Sequence, residues 1–187
     1  MRQLDATHQE SIEGNLGQWC YEVDSEFQQA NNDAAEDAAS YINPKNKVVI
    51  ELGCGDGASL IKFHELGFAT IGVDINADKL DRALGPKVKA DMVDWLWGVK
   101  DNSLANIFMH HSIEHIINVD ELIGLVTLKL AKGGIFYCVT PADDTPNTVH
   151  YTAFDSAEEL LPPGLKPLVL TKQERFGHPE YKCVAIK

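Results

Sequence analysis

From Lys47 onward the apolar and polar positions alternate between two rhythms. KVVIEL, FATIGVD, KVKAD, LANIFMHH and GIFYCVT are short runs rich in β-branched and apolar residues. GASLIKFHEL, NADKLDRAL and NVDELIGLVTLKLA instead repeat their apolar positions with the period of a helix. The spacing predicts strands over 47–52, 68–74, 87–91, 104–111 and 134–140, and helices over 57–66, 76–84 and 118–131. Strands interleaved with helices form right-handed βαβ units, so an α/β architecture with a parallel sheet covered on both faces is expected. The tail breaks the rhythm: strands within 162–176 and 181–187 are separated only by the turn GHPE, and such a pair should be antiparallel.

The stretch before Lys47 has a different character. Residues 1–43 hold nine acidic side chains and one basic one, Arg2. Within them Phe27, Ala30, Ala34, Ala38 and Tyr41 recur at helical spacing, with Asp24 or Ser25 as cap and Pro44 beyond the end. The acidic face is then solvated. At 187 residues and 44% hydrophobic, the chain suits one domain: an acidic helical segment, 1–43, and a core, 44–187. A formal charge of −12 with scattered basic residues disfavours nucleic acid. Cys20, Cys54, Cys138 and Cys183 show no C-x-x-C spacing and fit reduced thiols, while the absence of a long apolar run or a signal-like start points to a cytoplasmic protein with no membrane partner. Whether it is a monomer or a homodimer is left open.

In a doubly wound sheet, ligands bind beyond the carboxyl ends of the strands. The first such turn is VIELGCGDG, where Gly53, Gly55 and Gly57 let backbone approach a ligand ahead of a helix N-terminus. As G-x-G-x-x-A it could take the pyrophosphate of a nicotinamide dinucleotide; as E-x-G-x-G-x-G, a nucleoside with an amino-acid tail. Both want a carboxylate on the ribose, and Asp74, 17 positions after Gly57, ends the next strand. Asp91 ends the strand after that, 17 positions on, where it can accept from an adenine amine while Met92 packs on the ring. Glu51, just below the turn, suits a cationic ligand and repels a pyrophosphate. The plainer readings are a helix cap for Asp74, a turn residue for Asp91 and a merely small Cys54.

With VIELGCGDG, GVDIN, KADMVDWLWGVKDNSLANIFMHHSIEHI and LKLAKGGIFYCVTP in order, residues 47 to about 161 resemble the class I S-adenosylmethionine-dependent methyltransferases, especially those acting on small molecules. The resemblance implies a Rossmann-like three-layer sandwich whose seven strands run 3-2-1-4-5-7-6, with strand 7 antiparallel. It also implies S-adenosylmethionine as cofactor and S-adenosylhomocysteine as product. Gly53, Cys54, Gly55 and Gly57 would cradle the methionine moiety, with Glu51 near its amino group. Asp74 and Ile75 would lie at the ribose, Asp91 and Met92 at the adenine, and His110 beside the cofactor. Ala105 and Asn106 stand where the family often has an aromatic residue and Asp, a departure that should alter packing rather than cofactor binding. No N-P-P-[FY]-like motif of base methylation follows strand 4.

Methyl transfer mainly requires alignment and a dry site, with a general base only where the acceptor must lose a proton. For a hydroxyl acceptor His111 is the first candidate, at a strand end, and His150 the second. His150 lies in TPNTVHYTAFDSAEEL, which looks like a segment of methyltransferases acting on sugars or on lipid- and polysaccharide-linked acceptors. HSIEH matches the H-x-x-E-H of zinc hydrolases, but it starts at a strand end and lacks a marked third ligand, so no metal is expected. The preamble aromatics Trp19 and Tyr21 could fold over the cofactor as a lid. The expected function is methyl transfer to a small-molecule or glycan acceptor, on oxygen, where a histidine base serves a hydroxyl. The alternatives are a non-catalytic S-adenosylmethionine-binding module or a nicotinamide-dependent oxidoreductase.

Overall fold

The computed structural model describes residues 1–3, 25–76, 85–142, 146 and 150–187. The helix expected over 76–84, the aromatics Trp19 and Tyr21 and the cap candidate Asp24 lie outside the described residues, apart from Asn76. The main sheet comprises β1 (Val48–Leu52), β2 (Ala69–Asp74), β3 (Lys87–Lys89), β4 (Leu104–His110), β5 (Leu130–Pro141), β6 (Lys166–Arg175) and β7 (His178–Ile186). Its order is β3-β2-β1-β4-β5-β7-β6. All neighbours are parallel except β7, which is antiparallel to β5 and to β6. The expected strand order and the antiparallel last pair are therefore present.

The hairpin turn differs from GHPE. His178 to Glu180 already pair with Arg175 to Gln173, and the turn is Phe176–Gly177, both left-handed at φ 48° and 78°. Paired left-handed residues give the twist that a two-residue hairpin needs. The prediction failed because Pro179 reads as a turn residue, whereas here it sits in a strand with a bond-free amide position.

Helices α1 (Ser25–Tyr41) and α2 (Ala58–Glu65) cover one face, and α3 (Met92–Gly98) and α4 (Val119–Lys129) the other. The alternation of the strands explains the division. Val49, Phe108, Tyr137 and Val139 pack with Ala34, Ala35 and Ala38 of α1 and Phe63 of α2, while Ile50, Leu52, Ile107, Met109 and Phe136 pack with Val93, Leu96, Leu122 and Val126. The α1 stripe follows its alanines; Phe27, expected inside, is exposed. Asn106 is a buried staple: its Nδ2 donates to the carbonyls of Asn46 and Val48 at 2.9 and 2.8 Å, and its Oδ1 accepts from Ile135 N at 3.1 Å. That ties β4 to the entry of β1 and to β5, a packing role. A short antiparallel pair, Arg2–Gln3 with Thr152–Ala153, brings the first residues against the segment after β5. No helix among the described residues is long and apolar enough to cross a membrane.

Candidate functional site

The order of the strands reverses between β1 and β4, so the crevice opens beyond Leu52 and His110. There the chain after β1 turns through Gly53, Gly55 and Gly57 at φ 78°, 53° and 83°. The amides of Gly53 and Cys54 both donate to Val73 O, at 2.8 and 3.1 Å, and Gly57 N donates to Cys54 O at 2.9 Å. A Cβ on Gly53 would stand 2.5 Å from Ser112 Cβ and 3.3 Å from Met92 Cε, whereas one on Gly55 would meet nothing within 4 Å. The turn is thus closed on the Ser112 side and open at Gly55. Ser112 Oγ donates to Leu52 O at 2.9 Å, fixing the segment after β4 against this turn.

Asp74 Oδ2 accepts from Gly55 N at 2.8 Å and Oδ1 from Asn76 N at 2.7 Å, so the carboxylate braces the turn from the end of β2, with half-buried Ile75 next to it. Asp91 caps α3 rather than serving as a plain turn residue: its Oδ1 accepts from Val93 N and Asp94 N at 2.8 and 3.1 Å. This seven-residue helix is absent from the predicted elements. Glu51 is 2% exposed, and its Oε2 has no hydrogen-bond partner among the described residues. Burial holds its carboxyl well above 4.5; the Ser59 hydroxyl bond opposes that rise, and the charges of Asp74 and Asp56 add to it. Burial likewise pushes the Cys54 thiol far up, with the charges of Glu51 and Asp74 adding to the rise, which favours the neutral thiol.

Glu51 and His110 are joined by residues that spacing did not mark. Asn31 of α1 holds both the Ser59 hydroxyl, at 3.2 Å from its Oδ1, and His110 Nδ1, at 2.9 Å from the same oxygen. Asn31 sits among polar neighbours in an alanine-rich helix, which gives no sequence signal that it turns inward. Because Asn31 Oδ1 is an acceptor, His110 Nδ1 carries the proton. Its buried Nε2 has no partner among the described residues, and burial together with the neighbouring His111 and Arg175 charges pushes the ring well below 6.5.

His111 leaves the strand with φ 48° and directs Nε2 to Glu180 Oε1 at 2.8 Å, while Nδ1 stands 3.8 Å from Glu114 Oε1. Burial opposes its charge, but the Glu180 hydrogen bond and the charges of Glu114 and Glu180 outweigh it and raise the ring above 6.5. Glu114 Oε2 accepts from Thr140 Oγ1 at 3.0 Å, and its Oε1 is buried without a hydrogen-bond partner among the described residues. His150 meets His115 edge to face, with ring centroids 5.1 Å apart. Ligand atoms of Glu114, His115 and His150 lie within 4.8 Å of one another, so both histidine candidates stand near Glu114. His115 lies in the 3-10 turn Ile113–His115, so the HSIEH residues do not lie on an α-helix as a zinc-hydrolase motif requires.

A pocket of about 200 Å³ opens beside this group, walled by Phe27 and Ala30 of α1, His110 and His111, and Arg175 and His178 of the last hairpin. Arg175 donates to Ala30 O at 2.7 Å, locking the hairpin to the helix.

The family profile described as a methyltransferase domain matches residues 24–173. A search of curated proteins gives no match. Among solved structures, a S-adenosylmethionine-dependent methyltransferase from Archaeoglobus fulgidus is 19% identical, with a TM-score of 0.70 over 86% of this chain and 94% of that one. A geranyl diphosphate methyltransferase, in complex with its diphosphate and sinefungin, is 15% identical, with a TM-score of 0.70 over 87% of this chain and 79% of that one. The (4+2)-cyclase SpnF is 14% identical, with a TM-score of 0.71 over 96% of this chain and 91% of that one. These likenesses concern the fold.

Proposed function

This chain belongs to the methyltransferase domain family, with S-adenosylmethionine as its cofactor, and on that premise we propose that it methylates a hydroxyl of a small molecule or a single sugar unit. The carrying observation is the pairing of an open glycine turn with a buried Glu51 oxygen that lacks a partner. A cationic amino-acid tail fits there: its ammonium would supply the missing donors, and a carboxylate at that depth disfavours a pyrophosphate. Asp74 has lone pairs left for ribose hydroxyls beyond the two amides it accepts. Met92, touching the Gly53 side of the turn, fits the adenine end. Asp91 would contribute there in addition to capping α3.

The bound cofactor supplies an electrophilic methyl on a sulfonium. The residues of the chain orient and shield the acceptor. The pocket of about 200 Å³ supports a small acceptor or one sugar ring, and its mixture of Phe27 and Phe176 with imidazoles suits a ring bearing hydroxyls. His111 lines this pocket, and His150, which does not, would act only on an acceptor reaching past it toward Glu114. Aligning the acceptor oxygen on that methyl group and excluding water would carry most of the acceleration, with His111 taking the hydroxyl proton. A cytoplasmic location fits this chemistry and the reduced cysteines.

Incubation with S-adenosylmethionine and a panel of hydroxylated metabolites and monosaccharides, read as S-adenosylhomocysteine by mass spectrometry, tests the reading. Methylation of amines alone would replace the hydroxyl assignment. Cofactor binding with no product from any acceptor would make the chain a binding module.

A further inference from the structure

We propose that His111, Glu114, His115 and His150 form a site for one divalent transition-metal ion, of the zinc class, on the acceptor side of the glycine turn. The proposal departs from the sequence expectation of no metal, and its catalytic consequence rests on the methyl-transfer reading above.

Three observations carry it. Glu114, His115 and His150 offer ligand atoms that all lie within 4.8 Å of one another. Glu114 is 2% exposed, yet its Oε1 has no hydrogen-bond partner among the described residues, a costly arrangement for a carboxylate unless a cation or donor meets it. Across from that oxygen, His111 presents Nδ1 at 3.8 Å, beyond hydrogen-bond range but suited to two ligands of one ion.

The outer contacts are those a metal site needs. His111 Nε2 lies 2.8 Å from Glu180 Oε1; a proton on Nε2 leaves Nδ1 as the lone-pair nitrogen, the arrangement of a carboxylate–histidine–metal triad. Glu180 is itself held by Gln173 Nε2 at 3.0 Å and by Arg175 Nε at 3.4 Å. On the other side, Thr140 Oγ1 fixes Glu114 Oε2 at 3.0 Å and so directs Oε1 toward the histidines. Three imidazoles and one carboxylate match the borderline character of zinc, iron or cobalt better than that of magnesium or calcium, which prefer oxygen. Ser112, between His111 and Glu114 in sequence, is the residue whose Cβ closes the glycine turn, so the ion would lie next to the cofactor. An acceptor hydroxyl bound to the ion would release its proton to solvent, and its oxygen would then take the methyl group as the methyl–sulfur bond breaks toward sulfur. The histidines would in that case hold the ion rather than remove the proton.

A chain with seven histidines can bind such ions adventitiously, so the test rests on variants. Metal-stripped full-length protein is titrated with Zn2+ by calorimetry and with Co2+ by visible absorption. One ion per chain is expected, with the absorption of a four- or five-coordinate nitrogen–oxygen site. Glu114→Gln and His150→Gln should each weaken Zn2+ binding about a hundredfold, and Glu180→Gln, which acts through His111, by about 10–100-fold. Absence of binding, or equal binding by Glu114→Gln and His150→Gln, overturns the site. If Glu114→Gln unfolds, His150→Gln decides alone, since that side chain is only half-buried. S-adenosylmethionine is titrated separately and should bind the variants within a few-fold of the wild type. A chain that binds Zn2+ in this way but no S-adenosylmethionine keeps the ion site and overturns the methyl-transfer reading.

Discussion

Asp74 Oδ2 accepts the Gly55 amide at 2.8 Å, so the carboxylate that ends β2 holds the turn that follows β1. One side chain therefore braces the loop from below while remaining able to meet a ligand from above.

Asp74→Ala should lose both contributions. Hydrogen bonds to charged groups are worth about 1.5–3 kcal/mol, so S-adenosylmethionine affinity should fall roughly a hundredfold by calorimetry. Amide exchange at Gly55 should quicken even without ligand. Fast exchange with unchanged affinity would leave Asp74 as a brace only.

Gly53 and Gly55 should separate folding from binding. A Cβ at Gly53 meets Ser112 Cβ at 2.5 Å, and φ is 78°, so Gly53→Ala should lower stability by about 2–4 kcal/mol in urea unfolding. Gly55→Val meets no protein atom within 4 Å and carries only the backbone strain of φ 53°, about 1–2 kcal/mol. It should nevertheless abolish cofactor binding. Retained binding by a folded Gly55→Val protein would remove the turn from the cofactor site.

The raised pKa of Glu51 predicts opposite pH trends with and without cofactor. In the free protein, burial favours the neutral carboxyl, so the stability it contributes is complete below 4.5 and is lost as pH rises through the folded value. Asp74 and Asp56 push in the same direction, and the Ser59 hydroxyl against it. Glu51→Gln should therefore melt progressively higher than the wild type as pH rises through that window. Cofactor affinity should show the reverse order above it, with the Gln variant about 10–100-fold weaker. Parallel melting curves at every pH would show that Glu51 is not the titrating group.

Gly72, in the middle of β2, has no room for a side chain: a Cβ would lie 2.6 Å from Leu60 Cδ1 and 2.7 Å from Cys54 Sγ. Gly72→Ala should cost about 1–3 kcal/mol, measured by chemical denaturation. No change in midpoint would mean that Leu60 and Cys54 shift freely.

Strands β1 to β5 are legible along the chain as short apolar runs between helical periods, whereas their order in the sheet came only through the family resemblance, since no local pattern says which strands pair. The glycine turn and Asp74 were legible because a crevice at strand ends leaves few positions to choose from. Helix α3 was not, because only Val93 and Leu96 of its residues are buried and Trp97 is 60% exposed, too little for a helical period to stand out. Asn31 and Glu180 depend on contacts to His110 and His111 over sequence separations of 79 and 69 residues, which no local pattern encodes. Glu180 was also hidden by Pro179, which disguised a strand as a turn.

The bond from Arg175 to Ala30 spans 145 positions. Among the described residues, those found against the glycine turn lie between Asn31 and Ser112 and so emerge early from the ribosome, whereas the pocket wall begun by Phe27, Ala30, His110 and His111 is completed only by Arg175, Phe176 and His178 of the last hairpin. The two halves of the site thus have separate birthdays. Substitutions in the late segment from Arg175 to Glu180 can remodel the pocket wall without touching the glycine turn. One end of the chain can thus vary the pocket while the other keeps the turn.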